Sequence, residues 1–483
     1  MRARHADIDP VPAAQPRAAA WRKELVERII FWLFIAALAW TPFWYGSNDL
    51  VAWGINAMLF PGLAALYEIS ILIGGESHPI GIRSLALPAM LFVAVVGWIA
   101  FQDMTWAHSA LAHPIWGMAG DALGKPIEGS ISVNRDLTTL ALIRLLTAVS
   151  VFWVSVQLCR NAARANLLLN AISAIVCSYA AYGLVAFALQ AGRVPWLESP
   201  STGGHVASTF INHNSFATYA GLGLITICGL IIRLYRRDVM TTEGHRGLQI
   251  ASFIETTGQK GAVLLGGAFV LFVALLLTGS RGGVIATGFG LFALGVLTFR
   301  RGRKRTTEPL EVIAVGAIVV AAILVAFGDR FLANIAERGV GDSGRMAVYL
   351  ITLWSIFDVP LLGHGYGTFA DVFPMYRDRS ISVQGAWEQA HNTYLEIFQG
   401  LGLVFGLMLM ACVLLFMLRC VRGATTRQEN VTVPRVAASA ACLVGVHALV
   451  DFSLQIQAVT LTFMAVLGAG VAQSESSRLA MKD

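Results

Sequence analysis

The sequence has 483 residues, of which 56% are hydrophobic and only 13% are charged. No single core can bury that much apolar surface, so this composition excludes an ordinary water-soluble protein and indicates a protein surrounded by lipid. The formal net charge of +6 comes from basic residues that flank apolar segments, as topology signals and headgroup contacts do; we therefore expect membrane lipids as partners and no nucleic acid.

Apolar segments dominate the chain from residue 26 onward. About twelve of them contain roughly 17 to 25 residues, the length that crosses about 30 Å of hydrocarbon as a helix. The sequence thus predicts an all-α integral membrane protein with about twelve transmembrane helices. The predicted spans are residues 26–46, 50–74, 82–102, 138–158, 167–190, 212–232, 259–279, 283–299, 310–327, 392–418, 435–453 and 456–473.

The distribution of Lys and Arg predicts the orientation of these spans. If both termini are cytoplasmic, most of the 35 basic residues fall on the cytoplasmic side. The long polar segment between the ninth and tenth spans then lies outside the cytoplasm, and we expect it to contain short helices. The predicted parts of the chain are a cytoplasmic basic tail (1–25), spans one to nine (26–327), a large outer loop (328–391), spans ten to twelve (392–473) and a cytoplasmic tail (474–483).

The first half of the chain contains an arginine well inside a predicted span and two histidines in a predicted loop. Arg144 lies about two turns inside the fourth predicted span, where a charge is costly unless it faces a polar cavity or a partner. A structural pairing and a contact with substrate explain it equally well. His108 and His113 lie in the outer loop at 103–137, but their spacing fits no strong metal-ligand template, so we predict an interfacial loop helix there.

Polar residues open the sixth predicted span. Asn212 and Asn214 flank His213 where the chain enters an apolar segment, and each amide is costly to bury without a partner. One interpretation is that they cap the start of the helix. The other is that they bind the sugar or phosphate groups of a substrate.

Arg281 and Arg345 stand at the predicted starts of two helices, both on the outer side. A cation beside the positive end of a helix dipole is unfavourable by itself. A bound anion reverses this, because backbone N–H groups, the dipole and a guanidinium all favour phosphate, so the two arginines suggest a diphosphate site. After Arg345, residues 346–357 are typical of an amphipathic helix along the outer surface. The alternative is a salt bridge to a nearby carboxylate, namely Asp342, Asp371 or Glu388.

His391 directly precedes the tenth predicted span, where a lipid-borne substrate would meet water. With an ordinary pKa of about 6.5, an imidazole suits general-base chemistry at neutral pH. Asn392 and Glu388 are candidates to orient its ring. His447 and Asp451 lie one helical turn apart near the outer end of the eleventh span, where they either pair or line a polar path.

Four groups of residues form a pattern along the second half of the chain. They are Phe210-x-Asn212-x-Asn214; Ser280-Arg281-Gly282-Gly283; Arg345 with the later Pro360-Leu361-Leu362-Gly363-x-Gly365; and Ala390-His391-Asn392-x-Tyr394-Leu395 with Gly400-x-Gly402. In order and spacing they resemble the O-antigen ligase and Wzy-type polymerase superfamily. The resemblance is specific across about 200–455 and rests only on span number and topology before that. One departure is His364, which stands between two glycines where an apolar residue is usual.

The resemblance implies a membrane glycosyltransferase whose active site is the 328–391 loop, on the periplasmic face of the bacterial inner membrane. The donor would be a glycan linked to undecaprenyl diphosphate, and no metal or other cofactor would be needed. Arg281 and Arg345 match the family's functional arginines, and His391 matches its functional histidine. With one base and a single displacement, we predict inversion at the anomeric carbon. The only Asp-x-Asp, at residues 7–9, lies in the cytoplasmic tail, on the wrong side for a metal in this site.

These residues do not identify the acceptor of the transferred glycan. Ligases of the superfamily transfer to lipid A–core, whereas polymerases transfer to another repeat unit; we favour the ligase. Arg377 and Arg379 are candidates for contacts with substrate, together with Asn212, Asn214 and Asn392. A twelve-span transporter is the alternative from another class, but a transporter would be expected to place its ionisable residues near mid-membrane rather than at the outer surface.

Overall fold

The computed structural model describes residues 17–105, 110–191, 204–238, 255, 257–299, 343–381 and 386–475. His108, the predicted ninth span at 310–327 and the first part of the outer loop, up to Asp342, lie outside these residues. Within the described part, every regular element is helical and none is a strand.

A helix overlaps each predicted span that the structure describes, although several helices begin or end outside the predicted bounds. The α-helices are α1 (Arg17–Trp40), α2 (Leu50–Gly74), α3 (Ala86–Asp103), α4 (Pro114–Leu123), α5 (Arg135–Leu158), α6 (Ala162–Ala188), α7 (His213–Asp238), α8 (Ala262–Leu277), α9 (Arg281–Phe299), α10 (Ser343–Asp358), α11 (Phe369–Tyr376), α12 (Thr393–Thr426), α13 (Thr432–His447) and α14 (Gln457–Ser474). Short helical turns lie at Ile82–Leu85, Thr257–Gly261 and Ser453–Gln455.

Eight helices of the described part are long and apolar enough to cross a membrane. They are α2, α5, α6, α7, α9, α12, α14 and α3 with the turn before it. α8 is apolar but has only 16 residues, and α13 ends at His447, earlier than the predicted span 435–453. The all-α class is therefore confirmed with eight candidate spans, and a total of twelve remains a prediction.

α7 and α14 form the centre of the bundle. In each of them, 83% of the apolar window is buried, whereas the windows of α2 and α3 are only 22% and 17% buried. Gly468 lets α14 approach α5 closely, because a Cβ there would lie 2.6 Å from the carbonyl oxygen of Phe152. The central helices thus hold the ends of their neighbours in fixed positions.

α12 is interrupted by Gly402, whose φ of 76° and ψ of 171° are not helical. A Cβ on Gly402 would lie 2.3 Å from the carbonyl oxygen of Leu361, so both the backbone angles and the close contact require glycine. Gly363 faces the same break, and a Cβ on it would lie 2.4 Å from the carbonyl oxygen of Gly400. These contacts give a structural reason for the two glycine pairs of the sequence pattern.

Residues 359–368 join α10 to α11 and fill the break; we call them the 359–368 loop. The N–H of His364 donates to the carbonyl of Gln399 at 2.9 Å, and the N–H of Gly365 donates to that of Gly400 at 3.1 Å. Gln102 of α3 also donates to the Gly400 carbonyl, at 2.8 Å. The carbonyls freed by the break are thus satisfied, which fixes the first turns of α12 against the 359–368 loop.

Candidate active site

Residues 448–456 join α13 to α14 and form the base of the site; we call them the 448–456 loop. Arg345, near the start of α10, donates from Nη1 to the carbonyl oxygen of Val450 at 3.1 Å. Asn392, just before α12, donates from Nδ2 to the carbonyl oxygen of Leu449 at 3.0 Å. One loop therefore holds the starts of α10 and α12 side by side.

The start of α9 approaches the same loop. Arg281 is its first residue, and Ser280 caps the helix by accepting a backbone N–H at Oγ, at 3.1 Å. A Cβ on Gly282 would lie 3.0 Å from the side chain of Val450 and 3.2 Å from Nε2 of His447. Glycine at this position allows the N-terminus of α9, with Arg281, to lie close to the loop that Arg345 contacts.

His391 lies on the turn before α12 with a φ of +55°. Its half-buried ring meets the rings of Trp387 and Phe452 edge to face, with centroids 5.8 Å and 4.9 Å away. The hydroxyl of Tyr349, from α10, donates to the carbonyl oxygen of His391 at 2.9 Å. A residue with a Cβ keeps a positive φ only where its surroundings hold it. The direction of the imidazole is therefore set by contacts from three parts of the chain.

The side chains of Asn392 and Asn212 cap helices. Oδ1 of Asn392 accepts two backbone N–H groups of α12, at 3.1 Å each, and Oδ1 of Asn212 accepts the N–H of Asn214 at 2.7 Å. Since its amide also binds the 448–456 loop, Asn392 anchors the turn rather than orienting the ring, and Glu388 is exposed. The capping interpretation thus holds for Asn212, whereas the side chain of Asn214 hydrogen-bonds Asp451; contacts of these asparagines with substrate remain a prediction.

His447, the last residue of α13, is buried against α7. Its Nδ1 lies 2.6 Å from Oγ1 of Thr218 and 3.0 Å from Oγ of Ser453. Nδ1 of His447 thus contacts two hydroxyls, one from α7 and one from the 448–456 loop, rather than the carboxylate of Asp451.

Asp451 is buried in the 448–456 loop. Its carboxylate accepts the N–H of Phe452 at 2.6 Å and a hydrogen bond from the side chain of Asn214. Burial raises the pKa of Asp451 to about 6, and the positive charge of Arg345 opposes that rise. Asn214 and Arg345 are thus brought to one carboxylate from two different helices.

Residues 266–411 match the family model described as O-Antigen ligase. The predicted resemblance to the O-antigen ligase superfamily is confirmed. The matched segment contains the starts of α9, α10 and α12, with Arg281, Arg345 and His391, whereas the 448–456 loop lies outside it. No curated protein matches the chain. Together, the family and the apolar helices support a multi-pass membrane enzyme of the glycosyltransferase type.

His364, the departure from the superfamily pattern, is fully buried. Its Nε2 lies 3.0 Å from the carbonyl oxygen of Ser355, so Nε2 carries the proton and Nδ1 accepts from Nε2 of His113, 3.2 Å away. Nδ1 of His113 in turn accepts the N–H of Ile115 and caps α4. Burial lowers the pKa of His113 to about 4, and burial also lowers the pKa of His364. The pair is a neutral structural junction, which leaves His391 as the more accessible histidine.

The two other predicted arginines lie beyond α11. Arg377 follows the last residue of that helix, and Arg379 is exposed two residues later. Both belong to the segment that leads toward Trp387 and His391. Their contact with sugar therefore remains a prediction.

Two features of the site were missed from the sequence. The first is the 448–456 loop, although Asp451, Ser453 and Gln455 form a run of polar residues between two apolar segments, which is a signal for a loop. The second is Glu396, in the first turn of α12, whose carboxylate reaches back to Ala390. The other partner of Glu396, Gln455, is 59 residues away in the sequence, so no local pattern predicts that contact.

Proposed function

We propose that this protein transfers a glycan from an undecaprenyl-diphosphate-linked donor to a lipid A–core acceptor at the periplasmic face of the bacterial inner membrane. The observation that supports this best is the meeting of three helix starts at the 448–456 loop: α9 with Arg281, α10 with Arg345 and α12 with His391. Two cations and one base around a single loop meet the needs of a displacement at a sugar diphosphate. The O-antigen ligase match covers all three residues.

The diphosphate of the donor would bind between Arg281 and Arg345. The N-terminus of α9 adds backbone N–H groups and the positive end of its dipole, which favour an anion there. During transfer the bond between C1 of the sugar and the diphosphate oxygen breaks, and negative charge builds on that oxygen. Positioned guanidinium groups stabilise such charge strongly in a site of low dielectric, so the proposed reaction is metal-independent.

His391 would act as the general base. Its imidazole accepts the proton of the acceptor hydroxyl while the hydroxyl oxygen forms a bond to C1 on the side opposite the diphosphate. The electron pair of the broken bond leaves with undecaprenyl diphosphate. A single displacement of this kind inverts the configuration at C1, and general-base catalysis is typically worth about a hundred- to ten-thousand-fold in rate.

α10 carries an apolar face that suits the surface of a bilayer. Met346, Leu350, Trp354 and Phe357 are each more than half exposed, and their spacing places them on one side of the helix. An exposed apolar face on an amphipathic helix is typical of a helix that lies in the membrane interface. Such a position places the neighbouring Arg345 at the level of lipid phosphates, where a prenyl-linked diphosphate is presented.

Deletion of the gene tests the proposal, with the surface glycan and the undecaprenyl-linked pool analysed afterwards. A ligase predicts loss of capped lipopolysaccharide while undecaprenyl-linked polymer is retained. Accumulation of single repeat units would instead identify a Wzy-type polymerase, the alternative that shares the same chemistry at the three helix starts. An unchanged glycan and an unchanged lipid-linked pool would rule out both.

A further inference from the structure

Glu396 is an acidic residue in the first turn of a membrane-length helix, α12. Its Oε1 accepts the N–H of Ala390 at 2.6 Å, and its Oε2 accepts a hydrogen bond from the side-chain amide of Gln455. An acidic residue in this turn commonly returns to the N–H of the capping residue itself, which here is Asn392. Glu396 reaches further back and binds the residue that precedes His391.

Arg144 lies behind this contact and supports it. Its guanidinium donates to the carbonyl oxygen of Gln455 and lies 4.2 Å from the centre of the Trp53 ring. Arg144 and Glu396 are therefore joined through one residue of the 448–456 loop. A cation and a carboxylate that both lie in apolar surroundings lower each other's cost when they are linked in this way. Of the two explanations left open for Arg144, the structure favours the structural pairing.

The contacts around His391 act on both sides of its strained backbone. After His391, Asn392 caps α12 and binds the 448–456 loop. At His391 itself, the hydroxyl of Tyr349 binds the carbonyl oxygen. Before His391, the N–H of buried Ala390 is held by Glu396. The positive φ of His391 is thus fixed from its N-terminal side by this carboxylate.

We propose that Glu396 is a positioning residue, which holds the turn that aims the imidazole of His391 and is itself anchored to Arg144 through Gln455. This inference rests on the proposed role of His391 as the base. Glu396 touches no reacting atom in it. A misplacement of about 1 Å in a reacting group can cost about a hundredfold in rate, which is the size of effect that a lost anchor is expected to produce.

The test compares two substitutions of one residue in the purified full-length chain in nanodiscs. The substrates are an undecaprenyl-diphosphate-linked glycan and a lipid A–core acceptor. Glu396→Leu removes the acceptor for the N–H of Ala390, and we expect kcat to fall about a hundredfold, with little change in KM for the donor. Glu396→Gln keeps an acceptor oxygen for the N–H of Ala390 in a side chain of nearly the same shape, so kcat should fall only about fivefold. Thermal melting of both variants is measured in the same nanodiscs.

Four results would overturn the proposal. They are an undiminished kcat in Glu396→Leu, a loss confined to KM, an equal loss of kcat in both variants, and a loss of kcat fully explained by a lower melting temperature. An equal loss would mean that the charge itself, and not the hold on Ala390, is what matters. If Glu396→Leu fails to insert, Gln455→Met decides the question, because it loosens Glu396 while leaving the carboxylate in place. An unchanged kcat in Gln455→Met would then reject the proposal that Gln455 anchors Glu396.

His391→Ala in the same assay separates this inference from the proposed function. An inactive His391→Ala beside a fully active Glu396→Leu rejects only the positioning role. An active His391→Ala rejects the proposed base, and the inference about Glu396 with it.

Discussion

The turn at His391 and the junction at His364 place the same kind of side chain in opposite surroundings. His364 is fully buried, and its two ring nitrogens lie against the Ser355 carbonyl and His113. His391 is half-buried, and two aromatic rings meet its imidazole edge to face. The difference teaches that a motif alone does not make a histidine a candidate base, because the burial of its ring differs from one histidine to the next.

The largest effect is expected from removing the accessible histidine. His391→Ala should lower the rate of transfer by about 10²–10⁴-fold, because the acceptor hydroxyl loses its base. The amount of inserted protein should be unchanged. The rate in nanodiscs and the surface glycan of complemented deletion cells measure the effect. A normal glycan in these cells would contradict the assignment of the base.

Substitution of the arginine that binds the 448–456 loop comes next. Arg345→Lys keeps the charge but loses the planar fork, so kcat/KM for the donor should fall about ten- to a hundredfold. Arg281→Lys should behave similarly. Arg83→Lys, on an exposed residue of the turn before α3, is the matched control and should transfer at the native rate. Native activity in Arg345→Lys would show that Arg345 serves to bind the 448–456 loop and not the diphosphate.

The break in α12 lies near both histidines, because His364 binds the carbonyl of Gln399 and His391 lies on the turn before the same helix. A methyl group placed at the break should therefore disturb the surroundings of both. Gly402→Ala puts a Cβ 2.3 Å from the Leu361 carbonyl oxygen at a positive φ, so we expect a loss of about 2 kcal/mol or more in stability, with a lower rate of transfer. Gly97→Ala in α3 is the control, since a Cβ there meets nothing within 4 Å. Melting curves of the two variants give the comparison. Equal melting would show that the break tolerates a side chain.

Substitution of the buried His364 should lower stability and leave the rate nearly unchanged, the reverse of the result expected for His391. His364→Asn loses part of a satisfied buried network, so stability should fall by about 1–3 kcal/mol. The rate per folded molecule should stay within about twofold of the native rate, because His364 takes no part in the proposed reaction. Melting and kcat are measured on the same preparation. A large loss of kcat without a loss of stability would exchange the roles of the two histidines.

The smallest expected effect is the change with pH in the stability that His113 contributes at its contact with His364. The pKa of His113 is about 4 in the folded protein, below the ordinary 6.5, so the unfolded chain binds more protons between these values. The contribution of His113 is therefore complete above pH 6.5 and is lost as the pH falls toward 4. His113→Asn should make the melting temperature less dependent on pH between these values, as measured by thermal scans at a series of pH values. An equally steep dependence in the variant would place the responsible group elsewhere.

Much of the fold and part of the site could be predicted from the sequence, since both depend on local patterns. Apolar runs of membrane length predicted helices, and the residues around Arg281 and His391 predicted helix starts, because capping and glycine signals act over a few residues. The pairing of Gly363 with Gly400, and of Arg144 with Gln455, could not be predicted, since these partners are distant in the chain. The hydrogen bonds that join one helix start to another across the site, such as those of Arg345 and Asn392 with the 448–456 loop, are of this second kind.

The interruption at Gly402 has a mechanical consequence for the enzyme. A helix transmits a change of tilt along its whole length only while its hydrogen bonds are continuous, and α12 is discontinuous between the turn that carries His391 and its longer remaining part. A change in bilayer thickness tilts transmembrane helices at small energetic cost. Because the break interrupts α12, we expect such a tilt to be absorbed at Gly402, so that the first turns of α12 keep their alignment with the 448–456 loop while the remainder follows the lipid.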